Sequence, residues 1–292
     1  MTDKLRFALP KGSLQKSTIE IFKKGGINIY VDNSRSYYPG SDDPELELML
    51  IRPQEMPKYI EDGVFDVGLC GWDWLKENDA DVTEITELIY AKSGFRPVRW
   101  VLAVPENSEI NSIDDLKGKR VATELKRYTE RYFAEKNIDC KVEFSWGATE
   151  VKPGVLCDAI VELTETGSSL RANKLRIVEE ILSSSTRLIA NNNSYKDKWK
   201  RQKMENISLL LKSAVAAEGM VGLKMNVKNE KIEEITRLLP SLMKPTVSEL
   251  TVSGWVALEV VIEEKKVKEI LPRLKRAGAQ GIIEYPLNKI VH

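Results

Sequence analysis

Apolar residues alternate with others in Leu5-Arg6-Phe7-Ala8-Leu9, the spacing of a strand. Pro10-Lys11-Gly12-Ser13 then turns the chain, and Leu14 to Lys24 carries helical spacing ended by Gly25-Gly26. The same unit of strand, small or polar turn and amphipathic helix recurs. Leu46 to Gly63 repeats it with Arg52 at the turn, and Val64 to Asn78 does so with Gly71 and Asp73 there. Lys119 to Asn137 is a fourth instance. Asp158 to Leu175 is a fifth, in which Leu170, Arg171, Ala172 and Leu175 look like the start of a helix. Strands alternating with helices imply a mainly parallel α/β sheet, with ligands beyond the carboxyl ends of its strands.

Two junctions divide this pattern. The stretch from Ser93 runs through a loop into a new strand and on to a helix start at Ser112 to Leu116. The stretch from Ser183 returns through a strand to an Asn-rich turn and a charged helix. A chain that leaves one lobe, builds a second and returns makes two lobes with a cleft between them, and closure is the expected motion. We assign residues 1–94 and 186–213 to lobe I and residues 95–185 to lobe II. From about Ala214 the pattern becomes β-α-β-β-α-β, with one helix stopped near Pro240 and another closed by Gly278. Residues 214–292 therefore read as a small ferredoxin-like domain.

Composition narrows the chemistry. Of 292 residues, 42% are hydrophobic and 30% charged, as in an ordinary globular protein. Lys plus Arg and Asp plus Glu are both 44, so no bulk basic field advertises nucleic acid or membrane. An anionic ligand would need a local site. No apolar stretch is long enough to span a bilayer and the N-terminus does not read as a signal peptide, so the expected compartment is the cytoplasm. Cys70, Cys140 and Cys157 are far apart and read as reduced residues. The only histidine is His292, which excludes an internal Ser-His-Asp triad and a His-ligated metal. Chemistry is left to carboxylates, cations, backbone amides and a hydrated Mg²⁺.

The stretch Thr164-Glu165-Thr166-Gly167-Ser168-Ser169 places hydroxyls and a glycine at a strand-to-helix turn. It reads as a phosphate cradle or as a plain Ser/Thr cap, and the redundancy of hydroxyls favours the cradle, since one cap needs one hydroxyl. Asp158 and Glu162 are four apart, so a strand would turn both toward one cleft, to hold ribose hydroxyls or waters on Mg²⁺. Lys11 and Arg52 read as phosphate-facing or surface cations. Gly68 and Gly71 flank a strand end before Asp73, which suggests close ligand approach or a tight junction. Arg96, Arg99, Lys126, Arg127 and Arg131 read as a mixture of solvated and phosphate-facing side chains, and Trp72, Trp74, Trp100 and Trp255 as core.

In this order, the stretch from Leu5 to Leu14, the Gly-x-x-Asp-x-Gly-x-x-Gly-x-Asp run from Gly63 to Asp73, Gly147 to Glu150 and Asp158 to Leu175 resemble the ATP phosphoribosyltransferase family. Lys244 to Leu250 and Gly254 to Ile262 resemble the regulatory domain of its long form. The resemblance implies two lobes like a periplasmic binding protein plus a regulatory domain. It implies joining of N1 of ATP to C1 of phosphoribosyl pyrophosphate (PRPP), the first step of histidine biosynthesis, with Mg²⁺ accompanying the pyrophosphate. It further implies inhibition by histidine, with Thr246, Ser248 and Ala257 as effector contacts, and a dimer-based hexamer. Carried over residue by residue, Thr164, Thr166, Gly167, Ser168 and Ser169 would hold the 5′-phosphate of PRPP, with Glu150, Asp158 and Glu162 at its ribose or metal. Lys11, Gly12, Arg52, Asp73 and Arg99 would hold ATP or pyrophosphate from the facing lobe. One departure is Ser13, where the family usually has Arg. A binding protein that only captures an anion, or a phosphoribosyltransferase for another base, are the rival expectations.

Overall fold

The structure is a computed structural model describing residues 3–31, 36–91, 94–239 and 244–291. Ser93, the Pro240 stop and His292 lie outside these residues. The chain opens with β1 (Leu5–Pro10) and α1 (Gln15–Gly25), closed by Gly26 in the left-handed region at φ 91°. A short antiparallel pair, β2 (Ile29–Tyr30) and β3 (Gly40–Ser41), comes next. Then follow β4 (Leu46–Ile51), α2 (Met56–Glu61), β5 (Val67–Gly71), α3 (Trp72–Asn78) and β6 (Thr83–Leu88).

The chain crosses to β7 (Val98–Pro105) and a single 3₁₀ turn, Ile113–Leu116, started by a capping box between Ser112 and Asp115. It continues through β8 (Arg120–Thr123), α4 (Lys126–Glu135), β9 (Lys141–Phe144), β10 (Ala159–Thr164), α5 (Ser168–Ala172) and β11 (Leu175–Ser184). One residue later it re-enters the first lobe as β12 (Thr186–Ala190), followed by α6 (Asn192–Lys196) and α7 (Lys198–Ala216). Asn191 caps α6 by accepting from the amides of Asn193 and Ser194.

Two five-stranded sheets result, ordered β4-β1-β5-β12-β6 and β11-β7-β10-β8-β9. β1 is parallel to β4 and β5, whereas β12 is antiparallel to both its neighbours. In the second sheet β8 is parallel to β9 and β10, and β7 opposes β10 and β11. The opposed strand in each sheet is the one that arrives from the other lobe without a crossover helix, so it enters against the run of its neighbours. Both sheets belong to one compact unit, Met1–Leu209.

Alternation sets the core. Leu5, Phe7 and Leu9 are buried, and the Phe7 and Phe22 rings meet edge to face at 5.4 Å. The second sheet packs Trp100, Val121, Phe133 and Val161 into its own cluster. The fifth strand-turn-helix unit departs from expectation. Its helix, α5, has five residues, and Leu175 begins β11 instead of extending the helix. Asn173 closes the turn, and Lys174 takes φ 55°, a conformation that cannot continue a helix.

The second compact unit, Leu210–His292, begins inside α7. It contains β13 (Met220–Lys228), α8 (Ile232–Leu238), β14 (Thr246–Glu249), β15 (Trp255–Glu263), α9 (Glu264–Arg276) and β16 (Gln280–Pro286). The sheet order β14-β15-β13-β16, all antiparallel, is the ferredoxin-like arrangement that the β-α-β-β-α-β order implied. Leu223, Met225, Leu258, Ile262, Ile235 and Leu274 form its core.

Candidate active-site cleft

A cavity of about 240 Å³ opens between the two lobes. Lobe I contributes Lys11, Gly12, Ser13 and Arg52, all just past the ends of β1 and β4. Lobe II contributes Glu124 past β8 and Glu162, Leu163 and Glu165 from the end of β10 and its turn. Ser184, Ser185 and Thr186 close it at the return crossing. A wider cavity of about 820 Å³ shares Arg52, Gln54, Trp74 and Glu124 with it and is rimmed by Lys126, Arg127 and Trp146. The site therefore sits beyond the carboxyl ends of parallel strands, where loops and unsatisfied helix amides gather.

On the lobe I side, the Lys11 ammonium lies 3.4 Å from the centre of the Tyr37 ring, a cation-π contact that orients it. Gly12 takes φ 110°, a left-handed conformation that favours glycine, and its turn lies beside the Arg52 guanidinium. Asp73 is only 2% exposed. Its Oδ2 accepts from the Trp100 indole at 2.7 Å and its Oδ1 from the Trp74 amide at 3.0 Å. Burial pushes its carboxyl up, against these donors. Because α3 is in lobe I and Trp100 in lobe II, Asp73 ties the lobes together at the cavity wall. Glu77 adds a second tie, accepting the first-turn amides of Arg127 and Tyr128 at 2.9 Å each, and Arg131 reaches the Lys76 carbonyl. Arg127 and Arg131 thus serve lobe contact through their amide and guanidinium.

On the lobe II side, burial and the neighbouring Glu150 carboxylate push Glu162 up to about 7, while the Leu163 amide, donating at 3.1 Å, pulls it down. The loop after β10 is held from within. Thr164, buried, accepts the Gly167 amide at 2.8 Å, and Gly167 sits at φ 74°. Thr166 and Ser168 hydroxyls meet at 3.0 Å, and Ser169 donates to Glu150 at 2.5 Å. A five-residue helix adds little macrodipole, so what this loop offers an anion is hydroxyls and first-turn amides.

Of the expected residues, Glu150, Thr164, Thr166, Gly167, Ser168 and Ser169 adjoin the wall through Glu162 and Glu165 without lining the cavity, and Asp158 and Arg99 stand elsewhere. Asp158 precedes β10 and accepts the Arg120 amide at 2.8 Å, at the amino ends of β8 and β10. It lines a separate cavity with Lys119 and Arg120, and four residues of extended chain, about 13 Å, separate it from Glu162. The two acids do not share a cleft. Arg99 neighbours Trp100 on β7, so its side chain takes the opposite face, where it pairs with Glu180 at 3.6 Å. It is not among the cavity-lining residues. Among the described residues no group of three or more His, Cys, Asp or Glu side chains is placed to hold a metal ion, and no helix is long and apolar enough to cross a membrane.

This cleft can be set beside known proteins. The family model described as HisG, ATP phosphoribosyltransferase, matches residues 52–213, and that of the HisG C-terminal domain matches residues 217–289. The chain belongs to the ATP phosphoribosyltransferase family. The ATP phosphoribosyltransferase of Prosthecochloris aestuarii is 58% identical over 287 residues, 98% of this chain and 97% of the relative. That of Thermodesulfovibrio yellowstonii is 57% identical over 292 residues, the whole of both chains. A chain of the ATP phosphoribosyl transferase (HisG:HisZ) complex from Thermotoga maritima superposes with a TM-score of 0.60 at 30% identity, covering 71% of this chain and 98% of that one. In this family member the lobe II wall carries an acid the sequence reading passed over, Glu124, although it follows a strand end by the rule that located the other turns. Trp146 also went unread: it is 84% exposed and stands edge to face with Phe144 at 5.3 Å. In the second unit, Ser248 pairs across the sheet with Ala257 and Thr246 with Glu259, on the edge strand β14.

Proposed function

We propose that the cleft joins N1 of the adenine of ATP to C1 of the ribose of PRPP, releasing pyrophosphate, as the first step of histidine biosynthesis. The observation that carries this is the family match together with a cavity whose two walls are cationic and acidic. Adenine N1 has a free lone pair at neutral pH, so the chain needs no strong base. As the C1–O bond breaks, positive charge develops on the ribose and negative charge on the pyrophosphate. The protein's tasks are alignment, charge stabilisation and exclusion of water.

In this reading Thr166, Ser168 and Ser169 hold the 5′-phosphate, with Gly167 letting it approach and Thr164 bracing the turn. Glu162, near Glu150, accepts from ribose hydroxyls and faces the positive charge that develops at C1. Lys11 and Arg52 neutralise the departing pyrophosphate, a task Lys11 shares in place of the arginine absent at Ser13. The adjoining cavity, with Lys126 at its rim, accommodates the nucleotide. Mg²⁺ enters with the pyrophosphate, since Glu162 has Glu150 and Glu124 near it but, among the described residues, no three acids are placed to hold a metal ion. That donor set fits an ion bound chiefly by phosphate oxygens and water. Bound there, the ion would withdraw charge from the leaving group. We further infer histidine control through the β14–β15 edge near Thr246, Ser248 and Ala257, assembly as dimers and hexamers, and a cytoplasmic location.

The test is a near-ultraviolet assay of the purified protein with ATP, PRPP, Mg²⁺ and pyrophosphatase, with and without histidine. A new absorbance that requires both substrates supports the activity, and its loss with histidine supports the effector site. Binding of ATP or PRPP without product would replace this reading with an anion-capture protein.

A further inference from the structure

The turn after β9 lifts two aromatic rings into solvent. Trp146 is 84% exposed, more than any other large apolar side chain among the described residues, and Phe144 is half exposed. Their rings meet edge to face at 5.3 Å, a contact that covers at most one of the pair's ring faces. The backbone beneath them is held firmly. Ser145 and Thr149, on either side of the tip, are 2% and 1% exposed, and their hydroxyls lie 2.9 Å apart. The half-buried Lys152 donates to Ser145, and the Gly147 amide donates to Glu124 at 3.3 Å. Gly147 and Ala148 both take φ 48°, a left-handed conformation that is unfavourable for alanine and persists only where its surroundings impose it. The turn is thus clamped at its base and strained at its tip, and it displays an indole that the core does not use.

What the indole faces is the wider cavity of about 820 Å³, which Phe144, Trp146 and Gly147 line. That volume suits a small organic ligand. Arg52, Lys126 and Arg127 line the same cavity, so it combines aromatic rings with three cations. A planar base joined to a chain of phosphates matches both features, the base by stacking and the phosphates by charge. Glu124 and Arg52 line this cavity and the smaller one alike. Because Glu124 also accepts the amide next to Trp146, a base lying on the indole has an edge toward the cleft that Glu162 lines.

We propose that Trp146, backed by Phe144, is the platform on which the adenine of ATP stacks, so that the base lies flat with its N1 edge toward the adjoining cleft. The inference rests on the proposed function, and it concerns the ATP half of the site alone. Removing an aromatic platform weakens binding of the stacked base by about five- to a hundredfold, and that loss falls on one substrate.

Calorimetry and steady-state kinetics of the full-length chain test it, with Trp146→Ala and Trp146→Phe, both at an exposed position that folding does not depend on. Trp146→Ala is expected to weaken ATP binding and raise KM for ATP about tenfold or more, and to leave KM for PRPP within about twofold. Trp146→Phe, which keeps a ring, is expected to stay within about threefold of wild type for ATP. Bound ATP should quench wild-type tryptophan fluorescence, and the quench should shrink in Trp146→Phe although ATP still binds. Unchanged ATP affinity in Trp146→Ala overturns the proposal. So does an equal loss for ATP and PRPP, which marks a deformed turn, since Glu150 of this turn takes the Ser169 hydroxyl at 2.5 Å. Calorimetry needs no turnover, so the two readings fail separately. A wild-type protein that binds ATP through Trp146 but makes no product ends the proposed reaction and keeps this site. An active Trp146→Ala enzyme with wild-type KM for ATP does the reverse, and a wild-type protein that binds no ATP ends both.

Discussion

Replacing Asp66 by Asn should unfasten lobe I without touching the cleft. Asp66 is wholly buried, at the entrance to β5. Its carboxylate accepts from the Arg6 amide at 2.9 Å, the Arg6 guanidinium at 3.0 Å and 3.3 Å, Ser194 at 2.7 Å and Lys200 at 2.8 Å. It thereby joins β1 and β5 to α6 and α7. Burial opposes its ionisation, but these donors win and hold its carboxyl down at about 2. Relative to the usual 3.8, that difference is worth about 2 kcal/mol at neutral pH. Breaking a buried ion pair costs about 3–5 kcal/mol, and Arg6, with a side chain 42% exposed, can recover some hydration. We therefore expect a loss of about 3 kcal/mol, or a fall of roughly 6–12 °C in melting temperature for a unit of this size. Fluorescence follows the right unit, because Trp72, Trp74, Trp100, Trp146 and Trp199 all fall in Met1–Leu209 and Trp255 alone falls in the other. The pH dependence gives the sign. The folded value lies below the unfolded one, so the stabilisation is present above about pH 4 and is lost as pH falls toward about 2. The gap between wild type and Asp66→Asn should narrow by about 1 kcal/mol by pH 3, and other carboxylates cancel in that difference. A variant melting within about 2 °C of wild type at pH 7, or a gap constant from pH 5 to pH 3, would refute the reasoning.

Gly167→Val forces a β-branched residue to φ 74° against the Arg171 guanidinium and should abolish PRPP binding by calorimetry while the melting temperature holds within a few degrees. Glu162→Gln should lower kcat/KM for PRPP by about a hundredfold, whereas Asp158→Asn, at the far end of β10, should leave it within about threefold. Because Glu162 must be ionised to accept from ribose and sits at about 7, wild-type kcat/KM for PRPP should fall as pH drops below about 7, a limb that Glu162→Gln removes. Gly222→Ala places a Cβ within the Tyr285 ring, which must swing away and release Glu259; denaturation of the second unit should show a loss of about 1–3 kcal/mol.

The strand-turn-helix repeats were legible because their punctuation is local: Gly25-Gly26 ends α1, and turns at Arg52 and Gly71 mark two strand ends. The ferredoxin-like order was legible for the same reason. β11 was not, since Leu175-Arg176-Ile177-Val178-Glu179-Glu180-Ile181-Leu182 alternates with neither period cleanly, and bulges against β7 spoil its strand pattern. For site residues, periodicity gives a face but not a distance along it. Asp158 and Glu162 fit one face on paper, but the strand begins at Ala159, so Asp158 is spent on the Arg120 amide. Arg99 sat beside the right residue, Trp100, and a one-residue step turned it away. The acid of the Gly-x-x-Asp run at Asp66 carries no mark of its structural task, because its partners Ser194 and Lys200 lie more than a hundred residues on.

The position of β12 between β5 and β6 has a consequence for synthesis. β6 ends at Leu88, and the strand that must separate it from β5 starts at Thr186. A ribosome adding roughly 5–20 residues per second takes about 5–20 s to cover that interval. Throughout it, lobe II can be completed from local material, but one edge of β5 has no permanent neighbour and β6 has none at all. The first lobe to emerge is the last to close. Its open edge invites pairing with the wrong strand, β6 above all, and residues that discourage that early pairing would be under selection that no property of the finished enzyme explains.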